Sequence, residues 1–217
     1  FNDALSYDVS VFGLLYDNRL GEVLKTETRT NAAGELVETG RVVRFRGNIG
    51  TAFMYGLESF GNWSIKETFF PAIEKLKINY FMNLALTQSE YLSSEETGVE
   101  GNQVEFIPDV NLKTGMNFGY GDLLGSLQYT YLSTQFTDAT NAPQDINDNQ
   151  RGIEGTIPAY AILDFSLSYS YKKWKLEAGI NNFLDNSYFT RRATGYPGPG
   201  IIPAEPRTFY TTLQFKL

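Results

Sequence analysis

Apolar and polar positions alternate with period two along most of the chain, in about eight separate runs. The clearest run sets Ala161, Leu163, Phe165, Leu167, Tyr169 and Tyr171 against Asp164, Ser166, Ser168 and Ser170. A second sets Leu112, Thr114, Met116, Phe118 and Tyr120 against Asn111, Lys113, Gly115, Asn117 and Gly119. A third sets Ile78, Tyr80, Met82, Leu84 and Leu86 against Lys77, Asn79, Asn83 and Thr87. The last sets Phe209, Thr211, Leu213, Phe215 and Leu217 against Thr208, Tyr210, Thr212, Gln214 and Lys216. Weaker runs cover Leu5 to Tyr16, Gly50 to Ile65, Leu124 to Leu132 and Trp174 to Phe183. Successive side chains on a strand point to opposite faces, so the pattern predicts strands with one oily and one polar face.

The connections alternate as well. Short turns fall at Gly121-Asp122 and Lys172-Lys173, with a longer one over Thr68 to Lys75. Long polar loops are expected over Gly21 to Val43, Ser93 to Gln103, Thr137 to Thr156 and Asp185 to Glu205. Strict alternation of short and long connections is the habit of an outer-membrane barrel, with periplasmic turns and extracellular loops. The final strand then runs down to a periplasmic C-terminus. A soluble β-sandwich binding module also has one oily face per strand, but two features favour the membrane. The polar face is rich in Ser, Asn, Gly and Thr, as a water-filled or plug-filled lumen requires. Aromatics gather near the turns (Phe69, Phe70, Tyr120, Tyr171, Trp174), where lipid headgroups hold amphipathic rings. The runs reach about nine to eleven residues, enough to cross at a tilt. The predicted fold class is all-β, a transmembrane antiparallel barrel wall.

Composition narrows the functions. The chain has 217 residues, 14 Tyr, 16 Phe and 20 Gly, a balance that suits strands. A net charge of −7 argues against nucleic acid, whose phosphates need a basic face. Cys and His are both absent, which removes thiolate and imidazole metal sites, disulfides, and the commonest general base. No catalytic residue, metal site or cofactor is predicted, and the chain is read as a non-enzyme. No apolar run is long enough for a transmembrane helix. Phe1-Asn2-Asp3 is no signal peptide, so either a leader was removed or the chain is a fragment.

Eight strands close a small barrel only if side chains fill it. Here the inward set is small: Gly115, Gly119, Ser126, Ser166, Ser168, Ser170 and Gly179. That favours a wider barrel whose lumen holds something else. A complete eight-stranded barrel with a structural or adhesive role is the alternative.

Three segments resemble the C-terminal part of TonB-dependent outer-membrane receptors. Arg46-Gly47-Asn48-Ile49-Gly50-Thr51-Ala52, followed by Tyr55-Gly56-Leu57-Glu58, is similar to a descending strand of the family. Gly179-Ile180-Asn181-Asn182-Phe183-Leu184-Asp185-Asn186-Ser187-Tyr188 resembles the Asn-Leu-Phe-Asp-x-x-Tyr signature, with Phe-Leu in place of Leu-Phe. Arg207-Thr208-Phe209 to Leu217 resembles the closing strand, with Leu217 where the family usually ends in an aromatic. The stretch Tyr188 to Pro203 is similar to the last loop of iron(III)-dicitrate-type receptors. The resemblance implies that residues 1–217 form about eight strands of a barrel in the 22-strand class, with the plug and the earlier strands absent. It implies the outer membrane of a Gram-negative bacterium and import of a ferric chelate, of siderophore or ferric-citrate type. It also implies energy from TonB, met through the absent plug. Cobalamin and glycan receptors share the same wall. Phe215 and Leu217 resemble the terminal signal read by the barrel-assembly machinery, and lipid and lipopolysaccharide are the surrounding partners.

Against an anionic ferric chelate, arginine forks match carboxylates in pairs. The candidate ligand residues are Arg191, Arg192 and Tyr196 in the last long loop, and Arg41 and Arg44 near the rim. Each arginine has an ordinary alternative: pairing with the plug, with other loops, or with lipopolysaccharide phosphates. Arg46 and Arg151 belong to the same set, while Arg207 is expected in a wall ion pair. Glu58 and Glu177 face the lumen by parity. Asp145, Asn147 and Asn149 resemble the start of a calcium loop, but Gln150 stands where Gly is needed and no Glu closes it. Gly195, Gly198 and Gly200 are interleaved with Pro197 and Pro199, which remove the backbone donors a phosphate loop needs. With Pro203 and Pro206, these prolines are expected to stiffen a lid.

Overall fold

The computed structural model of the protein describes residues 4–144, 152–196 and 198–217. Its frame is one antiparallel sheet. The strands are β1 (Leu5–Thr30), β2 (Leu36–Ser64), β3 (Leu76–Ser94), β4 (Val110–Tyr120), β5 (Leu123–Leu132), β6 (Tyr160–Tyr171), β7 (Trp174–Asn181) and β10 (Thr208–Phe215). They pair in that order, each with its neighbour. A short helix, α1 (Ile65–Phe69), follows β2, and a separate hairpin of β8 (Phe189–Ala193) and β9 (Gly200–Pro203) lies before β10. Among the described residues β1 and β10 do not pair with each other, so the sheet is a wall and not a closed barrel.

The register turns the period-two pattern into two surfaces. One row across all eight strands reads Leu5, Trp63, Tyr80, Met116, Leu127, Phe165, Ile180 and Phe209. The next row reads Ser64, Asn79, Asn117, Ser126, Ser166, Gly179 and Tyr210. One face is thus continuously oily and open, the other polar. In water such a face is untenable, whereas lipid covers it. Glu58 and Glu177 fall on the polar face, opposite Ala85 and Ser168 respectively.

Smallness on the polar face serves the rings of neighbouring strands. Phe81 pairs with Gly115 and Tyr210 with Gly179. A Cβ on Gly115 would stand 2.7 Å from the Phe81 ring, and one on Gly179 2.5 Å from that of Tyr210. These glycines accept an aromatic laid across the strand, so the inward set is less empty than composition alone implies.

The two-residue turns at Gly121-Asp122 and Lys172-Lys173 form as predicted. The expected loop from Gly21 to Val43 does not. β1 and β2 run on for 26 and 29 residues, well beyond the roughly nine to eleven that cross lipid. The hairpin turns only at Asn31, whose side-chain oxygen accepts from the amides of Ala33 and Glu35 at 2.9 and 3.0 Å. Register shifts at Tyr16/Arg19, Arg19/Leu20 and Thr26/Thr28 explain the missed strands. The first two each insert one residue in one strand and swap which parity faces which side, and the third sets two extra residues of β2 against Thr26 to Thr28, so the alternation is lost. In the last long loop, the proline-rich stretch forms the β8–β9 hairpin, with Pro203 paired to Phe189.

The buried core lies at the outer end of the wall. Val23, Ile49, Ala52, Tyr91, Val99, Val104 and Ala139 pack together, with Met54 and Ile107 against them. They come from β1, β2, β3 and the two loops that follow β3 and β5. Those loops fold over the upper wall and build the mouth.

Candidate functional site at the outer mouth

Four segments meet at this end, and arginines join them. Arg44 on β2 donates from Nη1 to Glu22 Oε2 on β1 and to the Thr137 carbonyl, both at 2.7 Å. Its Nη2 donates to the Arg192 carbonyl at 3.2 Å. The guanidinium therefore clasps the long hairpin, the loop after β5 and the β8–β9 hairpin at once. Arg192 is 3% exposed. It donates from Nε to the Thr156 carbonyl at 2.9 Å and from Nη1 to the Gly152 carbonyl at 2.8 Å. Its guanidinium lies 5.0 Å from the Phe189 ring centre. A planar fork with several fixed donors is suited to gathering carbonyls from separate segments.

A second knot sits beneath. Arg19 donates from Nη1 to the Tyr91 hydroxyl at 2.6 Å and to Glu105 Oε1 at 2.8 Å. Tyr91 in turn donates to Glu105 Oε2 at 2.8 Å, and the Glu22 amide donates to Oε1 at 3.1 Å. Burial, then the adjacent Glu105 carboxylate, pushes the Tyr91 phenol well above the ordinary tyrosine range, so it stays protonated and donates. β3 crosses lipid over about eleven residues from Leu76, which leaves Tyr91 above the lipid band. These residues are 72 and 86 positions apart from Arg19, and nothing in the sequence pattern announces them. The loop after β5 is tied down further by Thr137, whose hydroxyl donates to the Gly155 carbonyl at 2.7 Å, and by the Ala139 amide on the Glu22 carbonyl at 2.8 Å.

The predicted ligand residues divide by environment. Arg44 and Arg192 are engaged in holding the mouth together. Arg41 and Tyr196 line one open cleft of about 550 Å³ with Thr39, Val42, Ile153 and Thr194, between the long hairpin and the last loop. Arg41 is exposed, and Tyr196 is 98% exposed. Arg191 precedes the buried Arg192 on β8, so it faces the other side of the strand; it is exposed and makes no ion pair among the described residues. Arg207 approaches Asp185 at 4.0 Å, the wall pair expected of it, and its amide donates to Asp185 Oδ1 at 3.0 Å. Glu177 pairs with Lys175 at 3.0 Å. The calcium-like stretch Asp145 to Asn149 lies outside the described residues, as do Arg151 and Pro197. No cluster of three or more acidic residues able to hold a metal occurs among the described residues.

A lipid-facing wall topped by a laced mouth defines an outer-membrane barrel. Residues 1–183 match the family model described as TonB dependent receptor-like, beta-barrel, and the chain belongs to that family of outer-membrane receptors. No curated protein matches its sequence. Among solved structures, the chain is similar to the unliganded ferric citrate transporter FecA, with a TM-score of 0.73 and 21% identity over 99% of this chain and 29% of that one. It is similar to the copper transporter OprC, with a TM-score of 0.67 and 14% identity over 99% of this chain and 29% of that one. It also resembles the siderophore receptor PiuA from Acinetobacter baumannii, with a TM-score of 0.64 and 18% identity over 99% of this chain and 26% of that one. The chain thus spans under a third of the length of these structures. At such identities the likeness is one of fold.

Proposed function

We propose that this chain is the C-terminal portion of the barrel of a TonB-dependent importer of an anionic ferric chelate, of ferric-citrate or siderophore type, in the outer membrane of a Gram-negative bacterium. The plug and the earlier strands lie outside it, and the plug carries the contact with TonB. The open edges of β1 and β10 support this reading, because unpaired strand edges are not tolerated in lipid and need partner strands.

The observation that carries the ligand class is the state of the arginines at the mouth. Two of them, Arg44 and Arg192, use their donors on backbone carbonyls, and the scaffold they make holds Arg41, Arg191 and Tyr196 exposed. Cations displayed on a braced rim favour a ligand with carboxylates or other anionic groups. The fold itself is shared by proteins named for ferric citrate, copper and siderophores, so the rim chemistry is what selects among them. Tyr196 supplies a flat apolar surface with a hydroxyl at its tip. Capture and import, not bond-making, is the expected activity.

The test is radioiron uptake by cells expressing the whole receptor, supplied as ferric citrate. Uptake that disappears when TonB is deleted supports the proposal. Uptake equal to that of cells lacking the receptor refutes ferric citrate as the ligand, and the same result with anionic ferric siderophores refutes the ligand class.

A further inference from the structure

Two recesses open on β1, β2 and β3, one above the other, and neither belongs to the mouth. The lower is an apolar groove of about 360 Å³ between Val11, Tyr55, Leu57, Leu86 and Gln88. Val11, Leu57 and Leu86 pair in one row, and Gly13, Tyr55 and Gln88 in the next. Leu57 and Tyr55 share the face of Trp63 by alternation, so these side chains stand on the lipid side. Gly13 brings no side chain to its row. The Phe53 ring leans from the row above to within 3.6 Å of where a Cβ on Gly13 would stand, and it stacks on Tyr55 at 5.4 Å between centres.

The upper recess is a polar cavity of about 320 Å³, lined by Asn18, Asn48, Thr51, Ser93, Glu95 and Glu100 among others. It forms where the bulges break the ladder between Tyr16 and Leu20. Asn48 Nδ2 donates to Asn18 Oδ1 at 2.9 Å, and Thr51 Oγ1 to Asp17 Oδ1 at 3.3 Å, so two of its walls are held in place. Thr51 faces away from the lumen, because its neighbour Ala52 is buried in the core of the mouth. Leu20, paired with Asn48, and Leu92, next to Ser93, are both exposed. Amides, hydroxyls and carboxylates together offer the donors and acceptors that sugar hydroxyls require. Among the described residues no Lys or Arg lines the cavity, and Glu95 and Glu100 form no ion pair. A bare phosphate would meet two carboxylates there and no cation, whereas a neutral or amine-bearing sugar is not repelled.

Five residues of β2 separate Gly56, at the groove, from Thr51, at the cavity, roughly 17 Å of extended strand. With the short turns on the periplasmic side, as in the family, the groove lies toward the outer leaflet and the cavity just above it. From this juxtaposition we infer that β1, β2 and β3 hold one glycolipid of the outer leaflet, with an acyl chain in the groove and an unphosphorylated headgroup sugar in the cavity. The site is separate from the mouth and holds whatever the receptor carries.

The test uses the whole receptor, freed of lipid in detergent and titrated with rough lipopolysaccharide, with bound glycolipid counted by native mass spectrometry. One glycolipid per receptor should be retained, and equally well after its phosphates are removed with hydrofluoric acid. Val11→Trp, which fills the groove, and Asn48→Ala/Glu100→Ala, which strips the cavity, should each weaken retention several-fold. Wild-type retention in either variant, correctly assembled, would mark the bound lipid as ordinary surrounding lipid and overturn the inference. Loss of binding on removal of the phosphates, or equal retention of phosphatidylethanolamine, would overturn it as well. The two variants lie on different rows of the wall, so one decides the matter if the other assembles poorly.

Discussion

The Arg44 guanidinium donates to the backbone carbonyl of Arg192, 3.2 Å away and 148 positions along the chain. That contact joins the long β1–β2 hairpin to the β8–β9 hairpin, and the same guanidinium also reaches Glu22 and Thr137. Arg44→Ala should therefore loosen three segments together. Hydrogen exchange at amides of 133–140 and 189–203 is expected to quicken, while the strands within lipid stay protected. Arg44→Lys should rescue little, because a single ammonium keeps the Glu22 pair but does not span both carbonyls.

Gly115 and Gly179 lie under the rings of Phe81 and Tyr210. Gly115→Val and Gly179→Val should each destabilise the barrel by about 1–3 kcal/mol through overpacking, read as earlier unfolding in urea. Gly179→Val combined with Tyr210→Ala should recover much of that loss, since the Tyr210 ring supplies the nearest atoms there. Were the polar face merely roomy, the single variants would be neutral.

Tyr91 gives a pH dependence with a definite sign. Its phenol is held above the usual value, about 10, by burial and by the Glu105 carboxylate. The folded mouth thus favours the protonated form. Its stabilising share is complete below about pH 10 and is lost as pH rises beyond that, since the unfolded chain releases the proton first. Tyr91→Phe should remove this part of the alkaline loss while lowering stability by about 1–3 kcal/mol at neutral pH, because Glu105 Oε2 loses its donor. Thermal melts of wild type and variant between pH 8 and 11 would show whether the two curves converge, as the account requires.

The wall was legible because period two is the direct imprint of a two-faced strand. Leu5 to Phe209 line up in one oily row across eight strands, and each of those residues lay in a run that the alternation marks. The alternation failed above Tyr16, where bulges exchange the faces, so strand residues from Gly21 to Thr30 read as loop. The mouth was less legible for a different reason. Arg191 and Arg192 are identical letters side by side, yet one is exposed and the other is closed over by the carbonyls of Gly152 and Thr156. Arg19, Tyr91 and Glu105 carry no local pattern at all, since only the folding of the loop after β3 brings them within hydrogen-bonding distance. The family motifs near Asn181 and Arg46 pointed to the right class, while the allocation of each arginine depended on contacts between distant segments.

The most direct test is a calorimetric titration of the whole receptor with ferric citrate, comparing wild type with Arg41→Ala/Arg191→Ala and with Arg192→Ala. The account predicts saturable binding by wild type and, at unchanged melting temperature, roughly 10-fold or greater weakening in the double variant, the loss expected for charge-assisted hydrogen bonds. For Arg192→Ala it predicts a lowered melting temperature, because the Thr156 and Gly152 carbonyls lose their donor. No binding by wild type, or wild-type affinity in the double variant, would contradict it.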